Sequence, residues 1–205
     1  MQLISLKSLV FVALLAPVAS HANLIVNGSF EANNLPKNSW TVMNSSNVNG
    51  WQGSNIELWH QLYNVKAADG LIHAELNADG GNSGAWSIFQ PFNTVTGTRY
   101  DLSFAYRARA SENESFRVTV ADLNQIVDDH KTNSWSLFKT SFVATDTTTT
   151  LRFTSLNTGT VGNFLDDVKV LASPVLQAVP ESPVWPLLML VGAGLVWRRR
   201  STQRS

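Results

Sequence analysis

Two pairs of acidic and imidazole side chains are the first candidates for chemistry in this chain. Glu57 and His60 are three residues apart, and His73 and Glu75 are two residues apart. On β-strands the second spacing puts both side chains on one face, whereas the first puts them on opposite faces. No histidine pair at helical spacing supports a transition-metal site. We therefore interpret these four residues as surface or hydrogen-bonded polar groups.

The acidic segment 122–129 superficially suggests a calcium-binding loop. An EF-hand needs an oxygen ligand at its fifth position, glycine at its sixth and glutamate at its twelfth. Those positions hold Ile126, Val127 and Asn133. The segment is therefore predicted to be a turn between strands.

The residue patterns of common enzymes are missing. There is no cysteine and no Gly-x-Ser-x-Gly motif, and the glycine-rich segment 80–84 lacks the Lys-Ser/Thr of a phosphate-binding loop. Glycoside hydrolysis needs two carboxylates at a defined separation, one of them with a raised pKa. None of the fifteen acidic residues stands in a recognisable context of that kind. We predict a protein that is not an enzyme.

Aromatic side chains offer a different kind of site. Sugar recognition commonly uses an exposed aromatic face with a few hydrogen-bonding side chains. Trp59 and Tyr63 stand in a polar stretch that suits this role, whereas Trp51 and Trp135 are expected to belong to the core. The predicted sugar-binding residues are Trp59, Tyr63, Gln61 and Asn64.

Alternating polarity predicts strands rather than helices between residues 23 and 171. The segment 99–109 is the clearest example, because large apolar side chains at even positions from 100 to 106 alternate with mostly polar ones. About nine or ten short strands at this spacing predict an all-β fold, a single antiparallel β-sandwich or jelly roll. The best candidates are 24–26, 56–59, 71–76, 85–92, 99–109, 116–120, 135–143, 147–153 and 164–171.

The charge distribution argues against a nucleic-acid partner. All fifteen acids lie between Glu31 and Glu181, a stretch that carries only ten of the fifteen basic side chains. The central region therefore has a net charge of −5, whereas nucleic-acid binding depends on cationic contacts.

The N-terminus has the pattern of an export signal. Lys7 precedes an apolar run from residue 9 to 16, Pro17 ends the run, and Ser20-His21-Ala22 has small residues at the −3 and −1 positions. Residues 1–22 are therefore predicted to be a signal peptide read by the Sec export machinery, with cleavage after Ala22.

The C-terminus has three consecutive features. Val-Pro-Glu-Ser-Pro at 179–183 follows a linker at 172–179, an apolar segment spans 184–197, and Arg198 to Arg200 close it. Counted from Pro183, a helix here is roughly 22 Å long, which is short against a hydrocarbon core of about 30 Å. The arginines would keep its end on the cytoplasmic side.

Segment 180–205 resembles the PEP-CTERM sorting signal of Gram-negative bacteria, with the second proline displaced by one position. The resemblance implies recognition by an exosortase, a transient single-pass membrane helix and final delivery to the cell envelope or the extracellular space. Members of that group often accompany exopolysaccharide production. The alternative is an ordinary tail anchor that is retained.

Three segments of the domain carry a second resemblance. Residues 23–31 read Asn-Leu-Ile-Val-Asn-Gly-Ser-Phe-Glu, residues 97–104 read Gly-Thr-Arg-Tyr-Asp-Leu-Ser-Phe, and residues 164–170 read Phe-Leu-Asp-Asp-Val-Lys-Val. They resemble the opening, central and closing strands of galactose-binding-like jelly rolls, which include several carbohydrate-binding modules and cell-wall proteins without an assigned function. The resemblance implies a galactose-binding-like β-sandwich over 23–171.

The same resemblance implies a structural calcium ion. In those modules a carboxylate after the Asn-Gly-x-Phe turn and one from the Asp-Asp-Val strand help to hold it, which points to Glu31 and to Asp166 or Asp167. Calcium binds six to eight hard oxygens. Alternation gives Asp166 the face of Phe164 and Val168, so Asp166 is expected to be the buried carboxylate, whose charge a cation would offset. The alternative is a turn acid hydrogen-bonded to backbone.

These patterns predict an exported, exosortase-sorted and non-catalytic protein that binds carbohydrate or exopolysaccharide. A structural matrix or adhesion protein without a sugar site, acting through protein contacts, is the alternative. A polysaccharide hydrolase is a second and more remote alternative. Fold and function are separate inferences, because one sandwich architecture serves many functions.

Overall fold

Period-two alternation of apolar side chains builds two antiparallel sheets that face each other across one core. The computed structural model describes residues 22–78 and 86–174. The predicted signal peptide up to residue 21, most of the linker and the whole C-terminal sorting segment lie outside the described residues. No helix within the described ranges is long and apolar enough to cross a bilayer.

The predicted all-β sandwich is confirmed, with one six-stranded and one five-stranded sheet. The strand order is β1-β3-β4-β11-β6-β9 in the first sheet and β2-β5-β10-β7-β8 in the second. The strands are β1 (Ser39–Met43), β2 (Gln52–Gly53), β3 (Ile56–His60), β4 (Ile72–Glu75), β5 (Ser87–Asn93), β6 (Arg99–Arg107), β7 (Phe116–Val120), β8 (Leu123–Val127), β9 (Ser136–Val143), β10 (Thr148–Ser155) and β11 (Phe164–Ala172).

The core lies between the two sheets and is rich in aromatic rings. Phe104 of β6 is fully buried at its centre, edge-on to Phe153 of β10 at 5.0 Å and stacked on Phe138 of β9 at 4.6 Å. Trp51 belongs to this core as predicted, stacked on Phe30 at 5.3 Å. Burial of such rings is the main favourable contribution to the stability of a sandwich without disulfides.

The two ends of the domain lie side by side. The backbone N–H of Leu24 donates to Val170 O at 2.9 Å, and the N–H of Val168 donates to Gly28 O at 3.0 Å. Residues 24–26 nevertheless form turns and bends rather than the predicted strand. The contact is irregular because the chain here turns, with φ of 53° at Asn27 and 59° at Phe30.

Strand β11 departs from simple alternation. Its register with β6 shifts between Asp166 and Lys169, and Asp167 has a φ of 50°. Phe164 therefore faces away from the core, whereas Val168 belongs to it. The expectation that Asp166 shares a face with both is wrong, because a bulge reverses the alternation. Asp166 is buried all the same.

Segment 122–129 also differs from the prediction that it is a turn between strands. Residues 123–127 form β8, which pairs with β7 at the edge of the five-stranded sheet, so the turn is confined to Ala121 and Asp122. The middle residues of β8 are all exposed. β8 has only one neighbouring strand, and its three middle positions are exposed. Its sequence therefore lacks the alternation of buried and exposed residues from which strands are predicted.

Candidate functional site

The outer face of the six-stranded sheet, defined as the face turned away from the core, carries an unusual set of side chains. Trp59 of β3 is opposite His73 of β4, and Glu57 is opposite Glu75. Phe164 of β11 lies between Glu75 and Arg107 of β6. Residues directly opposite each other on neighbouring strands share a face, so these six side chains form one surface.

Aromatic rings form a cluster at the centre of this outer face. Trp59 is edge-on to Phe164 at 5.1 Å, and Tyr63 is edge-on to Trp59 at 6.1 Å. Trp135 covers His73 from the side of β9, with ring centroids 5.4 Å apart. Tyr63 is 79 % exposed, whereas Trp59 is only 2 % exposed. The cluster therefore presents the Tyr63 ring to solvent above a buried aromatic layer.

A charged group adjoins the aromatic cluster. The guanidinium of Arg109 lies over the Trp59 ring, 4.7 Å from its centroid. Its Nη1 donates to both carboxylate oxygens of Glu75, at 3.0 and 2.9 Å, and is 3.9 Å from Glu57 Oε1. The indole N–H of Trp59 donates to Glu57 Oε1 at 2.7 Å. Two buried carboxylates therefore surround one cation that is also held by an aromatic ring.

Glu75 is strongly perturbed by this environment. Burial and the neighbouring Glu57 carboxylate raise the pKa of Glu75 to about 8, against the opposing effects of the Gly162 N–H and Arg109. The Gly162 N–H donates to Glu75 Oε1 at 2.8 Å. The predicted pairing of His73 and Glu75 on one face is correct, and both are buried rather than on the surface.

His73 is fully buried, and neither of its ring nitrogens has a hydrogen-bond partner. Burial and the charge of Arg107 lower the pKa of His73 to about 3, so the imidazole is neutral at ordinary pH. A neutral imidazole carries one donor and one acceptor. Buried polar groups are normally paired, so both ring nitrogens of His73 are exceptions to that rule.

The predicted calcium ligands hold a loop. Glu31 Oε1 accepts the N–H groups of Leu71 and Ile72 at 2.7 and 2.6 Å. Asp166 Oδ2 accepts those of Ala68 and Asp69 at 2.7 and 3.0 Å, and burial raises the pKa of Asp166 to about 7. Both carboxylates therefore bind segment 68–72 from its two ends.

The arrangement is that of acids hydrogen-bonded to backbone. Backbone N–H groups donate to Glu31 Oε1 and to Asp166 Oδ2, and Asp167 pairs with Lys169 at 2.5 Å. No three His, Asp or Glu side chains in the described part of the chain are grouped so as to hold a metal. Calcium at Glu31, Asp166 or Asp167 stays a prediction. If it binds, calcium raises the Tm and a chelator lowers it; no shift with either contradicts the site.

The four predicted sugar-binding residues lie around one tight turn, but their exposure differs. Tyr63 and Asn64 are exposed, Gln61 is half-buried, and all three have positive φ between 51° and 60°. Trp59 is covered, so it supports Tyr63 rather than offering its own ring.

Sequence reasoning missed Arg107, Arg109, Phe164 and Trp135 as members of this face. Trp135 was expected in the core but is half-buried on the outer face, where its indole N–H donates to Lys66 O at 2.9 Å. The sequence did indicate Arg107, because alternation in 99–109 puts its side chain on the face opposite to that of the core-facing Tyr106.

Residues 23–171 match a family model described as a protein of unknown function, DUF642. The chain belongs to the DUF642 family. No curated protein sequence matches it.

Solved structures resemble this DUF642 domain in fold. A family 16 carbohydrate-binding module is 16 % identical with a TM-score of 0.51, over 73 % of this chain and 99 % of that one. An arabinose-bound α-L-arabinofuranosidase is 13 % identical with a TM-score of 0.51, over 74 % of this chain but 26 % of the enzyme. A module bound to β-1,4-galactotriose is 15 % identical with a TM-score of 0.49, over 74 % of this chain and 99 % of that one. At these identities the likeness shows the sandwich fold.

Proposed function

We propose that this DUF642 protein is an exported, non-catalytic protein that binds carbohydrate through the outer face of the six-stranded sheet. The observation that carries the proposal is the free Tyr63 ring above the buried Trp59, Phe164 and His73 layer. Sugars pack against such rings while neighbouring polar groups bind their hydroxyls. The sugar-binding modules among its structural relatives support the same function.

The two carboxylates of the face are unsuited to hydrolysis. Glu57 accepts from Trp59, and Glu75 is bound by Arg109 and by the Gly162 N–H. A glycosidase needs one carboxylic acid that protonates the leaving group and a second carboxylate free to attack or to activate water. Here both acids serve to hold Arg109 over Trp59.

Export and sorting are part of the proposal and rest on the sequence of the two ends. The Sec machinery would export the chain with cleavage of residues 1–22, and an exosortase would release the protein from its transient membrane helix to the envelope or the extracellular space. Mass spectrometry of the mature protein tests this. A chain that still ends in residues 198–205 contradicts processing.

A protein-contact function is the second candidate, because β9 is an edge strand with apolar side chains in solvent. Leu137 and Val143 are 55 % and 43 % exposed. Exposed edge strands are templates for pairing with another chain. Self-association without binding to any glycan would favour this candidate.

Glycan binding by the purified protein tests the main proposal. Tyr63→Ala is expected to weaken binding about 2- to 12-fold, because loss of an aromatic contact costs about 0.5–1.5 kcal/mol. Its Tm should hardly change, since the ring is mostly in solvent. The matched control is Phe89→Ala, which removes an aromatic ring from the outward side of the five-stranded sheet, where Arg152 lies 4.1 Å from its centroid. Equal loss of affinity in both variants, or binding to no glycan, overturns the proposal.

A further inference from the structure

Arg107 has no acidic partner among the residues that the structure describes. It forms no hydrogen bond or ion pair with any described residue, and its Nε is buried without an acceptor. Arg109, two residues later on the chain, is bound by Glu75 and lies near Glu57. A partly buried guanidinium normally binds a carboxylate or phosphate, because its N–H groups are costly to leave unpaired.

No described acid of the outer face forms an ion pair with Arg107. Phe164 lies between Arg107 of β6 and Glu75 of β4, and the nearby His73 is uncharged. Asp166 is on the same face, opposite Ala105, and its carboxylate accepts the N–H groups of Ala68 and Asp69. The guanidinium of Arg107 is therefore paired with none of these acids and is available to a ligand.

Further along β6 the same face carries two lysines, because Ser103 is opposite Lys139 of β9 and Lys169 of β11. Lys169 pairs with Asp167, whereas Lys139 is exposed and forms no ion pair with a described residue. Ser103 is four positions before Arg107, which is roughly 13 Å along a strand. Lys139 is therefore a second cation on this face, although the domain as a whole has an excess of acids.

We propose that the outer face binds an acidic polysaccharide, with the carboxylate of a uronic acid unit on Arg107. This rests on the proposed carbohydrate-binding function and names its ligand class. A planar carboxylate matches the fork of a guanidinium in a bidentate pair. The distance from Arg107 to Lys139 suits a polymer that carries repeated carboxylates better than a single sugar.

The test compares uronate polymers with the neutral polymers made by reducing their carboxyl groups. The probes are polygalacturonate, alginate and hyaluronate, each in native and carboxyl-reduced form, with the purified protein. The wild type is expected to bind at least one native polymer roughly 10- to 100-fold more tightly than its reduced form, the range of a charge-assisted pair. Arg107→Gln should remove that preference, and Arg107→Lys should keep part of it.

Arg117→Gln is the matched control. Arg117 is on the outward side of the five-stranded sheet, where it donates to Asn124 Oδ1 at 2.7 Å, so its loss should leave the preference intact. If the wild type binds native and reduced polymers with equal affinity, the proposal of an acidic ligand is wrong, and the proposed carbohydrate binding is unaffected. A preference that survives Arg107→Gln, or disappears equally in Arg117→Gln, overturns the role of Arg107. If the protein binds none of the six polymers and no neutral glycan, both proposals are overturned.

Discussion

Replacing His73 with leucine is expected to make the domain more stable. Leucine is close to imidazole in volume and has no polar atoms, whereas the wild-type ring buries two nitrogens without partners. Leaving one buried polar atom unpaired costs about 1–3 kcal/mol. Loss of the ring contacts with Phe164 and Trp135, at 4.6 and 5.4 Å, offsets this by about 1 kcal/mol. For two such atoms the expected gain is about 1–5 kcal/mol, or roughly 2–20 °C in Tm for a domain of this size.

The same variant should change the acid limb of the stability curve. The pKa of His73 is about 3 in the folded protein and 6.5 in the unfolded chain, so the unfolded state binds the proton first as the pH falls. This contribution to folding is fully present above pH 6.5 and is lost as the pH falls towards 3, by roughly 4–5 kcal/mol at most. His73→Leu lacks this loss, so its advantage over the wild type should grow on acidification.

Urea unfolding followed by tryptophan fluorescence between pH 4 and 8 measures both effects. The matched control is His60→Leu, because His60 Nδ1 has a partner, Leu35 O at 2.7 Å, and lies on the opposite face of β3. That variant should be destabilised. A destabilised His73→Leu, or an acid limb that coincides with that of the wild type, would refute the interpretation of His73 as a buried, neutral and unpaired imidazole.

Three further predictions concern the framework around the site. Gly28→Ala should lower the free energy of unfolding in urea by about 2–3 kcal/mol, because the added Cβ would lie 2.0 Å from Val168 O. Gly97→Ala has open space around it and should lower the free energy of unfolding by only about 1 kcal/mol, through its φ of 80°. Asn163→Ala should cost about 2–4 kcal/mol in the same assay, since its amide is the donor shared by four acceptors in the turn before β11, and a smaller loss would contradict that network. Glu75 has a folded pKa of about 8 against 4.5 unfolded, so its contribution is present below pH 4.5 and is lost as the pH rises through 8. Glu75→Gln should flatten this alkaline decline, and an unchanged slope would show that Glu75 is ionised throughout.

The strands that could be predicted are those with two neighbours and one buried side. Residues 99–107 alternate cleanly because β6 lies between β9 and β11 and faces the core. Residues 39–43 form β1 at a sheet edge with a nearly uniform half-buried pattern, so nothing in the order of residue types marks them. Edge strands satisfy only half of their backbone groups within the sheet, and their side chains need not alternate.

The four predicted sugar-binding residues stay a prediction, and the structure adds neighbours that local sequence does not show. Tyr63 and Trp59 are in contact on the outer face, as local sequence could suggest, because they are four residues apart around one tight turn. Burial of Trp59 depends on Arg109 and Phe164, which come from 50 and more residues further along the chain. Local spacing carries no information about such distant partners.

The sequence by itself determined the class of structure, the acidic excess of the domain and the export and sorting expected from its two ends. Those properties follow from composition and from periodicity within a few residues. Only the tertiary structure decided which side chains meet on the outer face, that Glu75 lies beside Arg109 and not beside Arg107, and that His73 is buried without a hydrogen-bond partner. The physical reason is that pKa, pairing and burial depend on neighbours across strands, and strand order joins β4 to β11 and β6, far apart in the chain.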